Sequence, residues 1–229
     1  MVEHSEPAPP AGRRGLALRR RDIAVLVALL VVLGVLLYLL VRPAAVTGVN
    51  GSAVSSGSSV YAGIAEQVAQ PAPPLRLDNY LGTPVNLASY RGKAVFLTFI
   101  YTHCPDVCPL IASHLHTALA QMSAAERSEV RIVAVSVDPH GDTPTTVGQF
   151  LKTHEMTGRM QYLIGSAGVL RTVWTRWGIA AGPQTNNPEQ VAHSALIYGI
   201  NAKGKVAVIY PANFTPNEIV HDAPLLARS

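Results

Sequence analysis

An α/β sandwich with a mixed central sheet, preceded by one N-terminal transmembrane helix, is the fold class this sequence predicts, on three observations. Strand-like runs alternate with helical stretches from residue 75 onward. Two of those runs, Ala94–Ile100 and Arg131–Val137, are almost continuously apolar, as strands buried on both faces are. A long uncharged apolar stretch, Ile23–Val41, stands ahead of them all.

Leu75–Asn79 and Pro84–Leu87 flank a turn at Gly82 and predict a short hairpin. Arg91-Gly92-Lys93 then turns the chain into Ala94–Ile100, the first central strand. Val107–Met122 predicts a helix, with Asp106 a candidate cap and Pro109 tolerated in the first turn. Arg131–Val137 is the second central strand, and Thr143-Pro144 opens a helix that runs to Lys152. Met160–Ile164 predicts a short strand and Ser166–Trp177 a helix stopped at Gly178. After a polar loop, Ala195–Asn201 and Lys205–Tyr210 predict a hairpin turned at Lys203-Gly204, and Thr215–Leu226 a closing helix.

The segments ahead of the domain set its compartment. Ile23–Val41 reaches roughly 28 Å as a helix, close to the ~30 Å apolar core of a bilayer. Arg13, Arg14, Arg19, Arg20 and Arg21 precede it and only Arg42 follows, so the positive-inside rule keeps residues 1–22 cytoplasmic and sends the rest across the membrane. A cleaved signal peptide is the alternative, but its apolar region is shorter and a small-x-small site follows it closely. Pro43-Ala44-Ala45 is a poor cleavage site, and retention as an anchor is expected. No cysteine follows the apolar run closely, which argues against lipid attachment at a new N-terminal cysteine. Residues 42–74, rich in Ala, Gly, Ser and Pro, read as a flexible linker, and residues 75–229 as one domain.

The net charge of +4 excludes a function class. Three of the four excess charges sit in the first 42 residues, which carry six arginines against three acids. The domain itself shows no clustered basic footprint in its sequence, so nucleic acid is not an expected partner.

The chemistry concentrates at two residues. The chain has only two cysteines, both in Cys104-Pro105-Asp106-Val107-Cys108-Pro109, directly after the first central strand. At positions i and i+4 they share one face of the opening helical turns. Such a pair either exchanges a disulfide or holds a soft metal ion. Copper(I) accepts two thiolates and an imidazole, so a third ligand is sought among the histidines. His114 and His116 face different ways on the predicted helix, and His103 belongs to the strand's end. His140, His154 and His221 have nothing in their context to recommend them. His193, in Gln190-Val191-Ala192-His193-Ser194, stands at the start of an apolar strand that can lie beside the cysteines. From position alone it is as well explained by a half-buried histidine bonded to a loop as by a ligand.

Tyr101-Thr102-His103-Cys104-Pro105-Asp106-Val107-Cys108-Pro109 resembles the signature of the Sco/SenC copper proteins. The resemblance continues through Ser136-Val137-Asp138-Pro139 and Asp142-Thr143-Pro144 to His193-Ser194, and covers Leu75 to Ala227. It implies a thioredoxin-like fold, an N-terminal membrane or lipid anchor, and an extracytoplasmic domain. It also implies a copper ion held by Cys104, Cys108 and His193, with Asp138 as a supporting residue. The implied task is that of a metallochaperone maturing the copper-A site of cytochrome c oxidase. Its partners would be the oxidase copper-A subunit, a copper donor chaperone and a thiol reductant. One position departs from the family's pattern: Ala192 stands where an acidic residue is common, which removes an acceptor behind the histidine.

The rival reading is an extracytoplasmic thiol–disulfide oxidoreductase with Cys104 and Cys108 as its redox pair. It shares fold, compartment and cysteines. Such enzymes usually space their cysteines by two residues and set a proline opposite them, whereas the spacing here is three and Val191–Tyr198 has no proline. No arginine lies between Arg91 and Arg127 to lower a cysteine pKa, which further favours metal. Outside the cytoplasm the two chemistries couple, since a disulfide between the cysteines would block copper until a reductant opened it.

Overall fold

Ala94–Ile100 is apolar at every position but Thr98, and the computed structural model buries all of it at the centre of a sheet. The structure describes residue 21 and residues 28–36, 60–183, 191–193 and 195–229, with the backbone alone at 67, 182–183 and 191–193. The strands are β1 (Ile64–Pro71), β2 (Arg76–Asn79), β3 (Pro84–Asn86), β4 (Ala94–Ile100), β5 (Val130–Ser136), β6 (Met160–Ile164), β7 (Ala181–Pro183), β8 (Val191–His193), β9 (Leu196–Ile200) and β10 (Lys205–Pro211). The helices are α1 (Val107–Gln121), α2 (Ala124–Ser128), α3 (Pro144–Thr153), α4 (Ala167–Arg176) and α5 (Pro216–Arg228).

The main sheet has the order β1-β10-β9-β4-β5-β6-β2-β3, and β7 with β8 forms a separate ladder. β4, β5 and β6 run parallel in register, Ala94 opposite Val130 and Ile132 opposite Met160. β9 is antiparallel to β4, so the sheet is mixed, as the strand and helix pattern predicts. Parallel neighbours need crossovers, which α1 and α3 supply. The three parallel strands therefore end together, and the loop that follows β4 lies at that shared end, where open α/β sheets place their sites.

Four differences from the sequence reading have physical causes. The linker expected over 42–74 is shorter, because Ile64–Pro71 joins the sheet edge against β10. Most of its side chains are exposed, Ile64 and Val68 included, so no burial pattern announces it. Gly63 makes that edge approach possible, since a Cβ there would fall against the Tyr210 ring and Val208. Second, Asp106 stands at the N-cap of α1 but with φ −136° and ψ −83°, and its side chain accepts no capping hydrogen bond. Third, Leu87, expected in a strand, opens a 3-10 turn over Leu87–Tyr90. Fourth, Ser123 caps α2 through a reciprocal bond with Glu126, a short helix absent from the sequence reading.

The chain divides into two compact units, Met1–Gly57 and Ser58–Ser229. In the first, residues 28–36 are helical with exposed side chains. The rest of the expected span Ile23–Val41 lies outside the described residues, among which no helix is long and apolar enough to cross a membrane. In the second unit the buried Asp222 carboxylate accepts from the backbone N–H of Ala62 (2.8 Å) and Gly63 (3.1 Å) and from the Tyr210 hydroxyl (2.8 Å). This ties the start of β1 to α5.

Candidate metal centre

The two cysteines sit where the end of β4 turns into α1. Cys104 is 7% exposed and Cys108 is fully buried, and no disulfide joins them. The Cys108 backbone N–H donates to Cys104 Sγ at 3.3 Å, which holds the first sulfur over the opening turn of α1. Cys108 is the second residue of α1, whereas Cys104 stands in the loop before the helix, so the two sulfurs meet across the loop–helix junction and not along one helical face as the spacing predicts. The neighbouring Cys104 thiol and burial together push the Cys108 thiol far above its ordinary value. A proton is thus held at Cys108 until something stronger displaces it. A soft metal cation would have to displace that proton to use the sulfur as a ligand.

The loop that carries Cys104 is pinned from behind. Asp142, at the entrance to α3, is 5% exposed. Its Oδ1 accepts from the Thr102 backbone N–H at 2.8 Å and from the Thr102 hydroxyl at 2.8 Å. Its Oδ2 accepts from the Tyr162 hydroxyl at 2.8 Å, and that hydroxyl also lies 3.2 Å from the Ile100 carbonyl oxygen. Burial raises the Asp142 carboxyl above the usual carboxylate range, against the lowering pull of these hydrogen bonds. The residue two before Cys104 is therefore fixed by a buried carboxylate forty positions downstream.

Asp138 lies in the same cluster. Its Oδ1 accepts from the N–H groups of His140 (3.2 Å) and Gly141 (2.9 Å), which shapes the turn after β5. Ligand atoms of His103, Asp138 and Asp142 lie within 4.8 Å of one another. Gly141 leaves room for them: a Cβ there would fall on Asp138 Oδ2 and 2.9 Å from His103 Nδ1. The structure thus places Asp138 beside the cysteine loop, and adds His103, Asp142 and Tyr162 to its surroundings. His103 and Asp142 were visible as residues next to the motifs; their contact across the fold was not.

Four other histidines make contacts within the protein. His114 Nδ1 lies 2.7 Å from the Phe214 carbonyl oxygen and His116 Nδ1 lies 3.3 Å from that of Glu155. His154 Nδ1 meets the Ser113 hydroxyl at 3.5 Å, and His221 Nδ1 meets Asp222 at 2.7 Å. His193 ends β8, its backbone opposite Ala181 of β7, and its side chain lies outside the described residues. The strand that follows it shows toward which end of the sheet this stretch of chain runs. Ile197 pairs with Thr98, the Thr98 hydroxyl donates to the Leu196 carbonyl at 3.0 Å, and β9 runs antiparallel to β4. Going back along the chain from Leu196 therefore leads toward the end of β4, where the cysteine loop begins. Both flanks of this segment pack on Phe99, with Trp177 at 5.9 Å and Tyr198 at 6.2 Å between ring centroids.

Two relatives among the solved structures carry this architecture. The apo Sco1 protein of Thermus thermophilus has a TM-score of 0.64 at 25% identity, over 72% of this chain and 96% of that one. ScoI of Bradyrhizobium japonicum, determined with copper bound, has a TM-score of 0.58 at 28% identity, over 68% of this chain and 99% of that one. The thioredoxin-like fold with a mixed sheet is shared with both. The SCO1 protein homolog of Bacillus subtilis is 29% identical over 139 residues, 60% of this chain and 72% of that protein. Two further curated relatives are spanned over only 47% and 44% of their lengths. A family model described as SCO1/SenC matches residues 65–227, from the edge strand to the end of the last helix, and the chain belongs to that family.

Proposed function

We propose that the chain is a membrane-anchored copper-binding protein that delivers copper to the copper-A subunit of cytochrome c oxidase. Cys104 and Cys108 supply thiolate ligands and His193 an imidazole, while Asp138 and Asp142 hold the loops around them. The observation that carries this reading is the coupled pair of buried thiols, with the Cys108 N–H on Cys104 Sγ at 3.3 Å. Soft, closely spaced sulfurs in a water-poor niche suit copper(I), and few ligands satisfy it. Family membership supports the cargo, and the copper-bound Bradyrhizobium relative shows that the fold can hold it.

Residues 1–22 form the cytoplasmic tail in this reading and 23–41 the single membrane span. The remainder faces the extracytoplasmic side, where a copper donor loads it and a thiol reductant keeps the cysteines open. Thiol–disulfide exchange as the principal task is less well supported. Enzymes of that kind usually space their cysteines by two residues and set a proline opposite them, whereas three residues separate Cys104 from Cys108 and Val191–Tyr198 has no proline.

Copper stoichiometry of the reduced full chain in detergent, beside a His193→Ala variant, tests the proposal. One copper per wild-type chain is expected, with weakened retention in the variant. If neither protein binds copper, and the wild type turns over a disulfide substrate at enzyme-like rates, the oxidoreductase reading takes its place.

A further inference from the structure

We propose that a basic cavity at the opposite end of the sheet from the thiols binds a small soluble phosphate-bearing anion. The cavity has a volume of about 670 Å³ and is lined by Arg127, Arg131 and Arg159, with His116 and Glu155 on its wall. Its floor lies near the first residues of β5 and β6, whereas Cys104 follows the last residues of β4. With strands in parallel register and β4 seven residues long, the two sites are about 20 Å apart. The cavity is therefore separate from the metal centre.

Its charge is only partly offset, by Glu155 on the wall and by Glu129, which is engaged mainly with Lys93 and also feels Arg131. Ion pairs among the described residues are Lys93–Glu129, His116–Glu155 and His221–Asp222, and none includes an arginine of the cavity. Glu129, whose nearest cation is Lys93 at 2.8 Å, is already engaged. Arg127 is held in place by the carbonyl oxygens of Leu119 (3.2 Å) and Met122 at the end of α1. Arg131 is held by those of Ser128 (3.0 Å) and Val130 (2.7 Å). A guanidinium has five donors, so both keep donors in reserve after these bonds. The Arg159 backbone N–H donates to the Met156 carbonyl at 2.9 Å, while its guanidinium has no hydrogen bond or ion pair among the described residues. Three guanidiniums facing one carboxylate in a single concavity match a multiply charged oxyanion, which arginine grips through paired N–H bonds.

The rim is built with strain. Glu155 has φ 54°, the one positive φ of a non-glycine residue among those described, and Gly158 follows at φ 72°. That turn links α3 to β6 and carries both Glu155 and Arg159 into the lining. Held strain of about 1–3 kcal/mol at a ligand-sized concavity is a functional pointer when charge points the same way. The volume falls in the range of small-molecule sites, and Leu119, Val130 and Ile132 add apolar wall, which suits an organic phosphate better than a polynucleotide.

A phospholipid headgroup carries the same chemistry, and a vesicle arm in the test separates the two sources.

Calorimetric titration of the full chain in detergent with inorganic pyrophosphate, at fixed ionic strength, tests the proposal. Saturable binding is expected, weakened at least tenfold in an Arg131→Gln, Arg159→Gln variant whose copper stoichiometry is unchanged. Glu155→Gln, which removes the one carboxylate, should bind more tightly than wild type, so the idea stays testable if the double variant folds poorly. No saturable binding, equal binding by wild type and both variants, or binding to phosphatidylglycerol vesicles without binding to pyrophosphate would overturn it.

Discussion

Exchanging Cys108 for serine is expected to leave the domain folded and to abolish copper(I) binding at any concentration where the wild type is saturated. Losing a residue behind a metal ligand typically costs about 10–100-fold in affinity, and removing one of two thiolates costs more. Serine keeps the helix position and offers an oxygen for the backbone hydrogen bond that Cys108 receives from Tyr101, so the fold has little reason to fail. The same thiol sets the pH dependence. Its pKa is raised by the neighbouring thiol and by burial, so copper must displace a proton from it on binding. Lower pH favours the protonated, metal-free form. Affinity should therefore rise with pH through neutrality, by about tenfold per pH unit for each proton displaced. Competition with a copper(I) chelator across pH 6–8 reads both effects. An affinity flat in pH would mean that the thiols are not the ligands.

Asp142→Ala is expected to be the most damaging single change outside the cysteines. It deletes the acceptor of the Thr102 N–H, the Thr102 hydroxyl and the Tyr162 hydroxyl, all in a buried site. An unsatisfied buried donor costs about 1–3 kcal/mol, so the loss should reach roughly 2–5 kcal/mol. Tyr162 is fully buried and has only the Ile100 carbonyl left within reach. Freed from its anchor, the loop before Cys104 should also loosen its hold on the metal, by about 10–100-fold. Asp142→Asn separates the two effects, since it keeps an oxygen for Thr102 and presents an amide that the tyrosine oxygen can accept. Urea unfolding together with chelator competition should rank wild type first, Asn second and Ala last in both. Equal stability of all three would show that the pinning bonds carry no weight.

These residues also show where sequence reading stops. β4 and β6 match their predicted bounds, and α1 comes within one residue, because each announces itself locally by a continuous apolar run or a helical period between clear breaks. Thr143 at the start of α3 and Gly178, with φ 65°, after α4 are equally local signals. β1 escaped because an exposed edge strand with few buried side chains has no period to detect, and its pairing with β10 spans more than a hundred residues. The Asp106 cap was a reasonable inference that the loop geometry overrode: the backbone turns to place Cys104, and the capping bond is lost. The thiols were conspicuous as the chain's only two cysteines. What lies behind them was not, because Thr102 meets Asp142 across forty residues and Tyr162 arrives from another strand. The three arginines of the far cavity were hidden in the same way, scattered over α2, β5 and a loop and gathered only by the fold.

Copper delivery requires a site that binds tightly yet can be emptied, and two thiolates with one imidazole give a low-coordinate complex that an incoming ligand can attack. X-ray absorption at the copper edge of the reduced, copper(I)-loaded full chain tests that ligand set most directly. Two sulfur scatterers and one nitrogen scatterer per copper are predicted, with one sulfur lost in Cys104→Ser and the nitrogen lost in His193→Ala. A copper shell of nitrogen and oxygen alone, or one unchanged by both substitutions, would contradict the account.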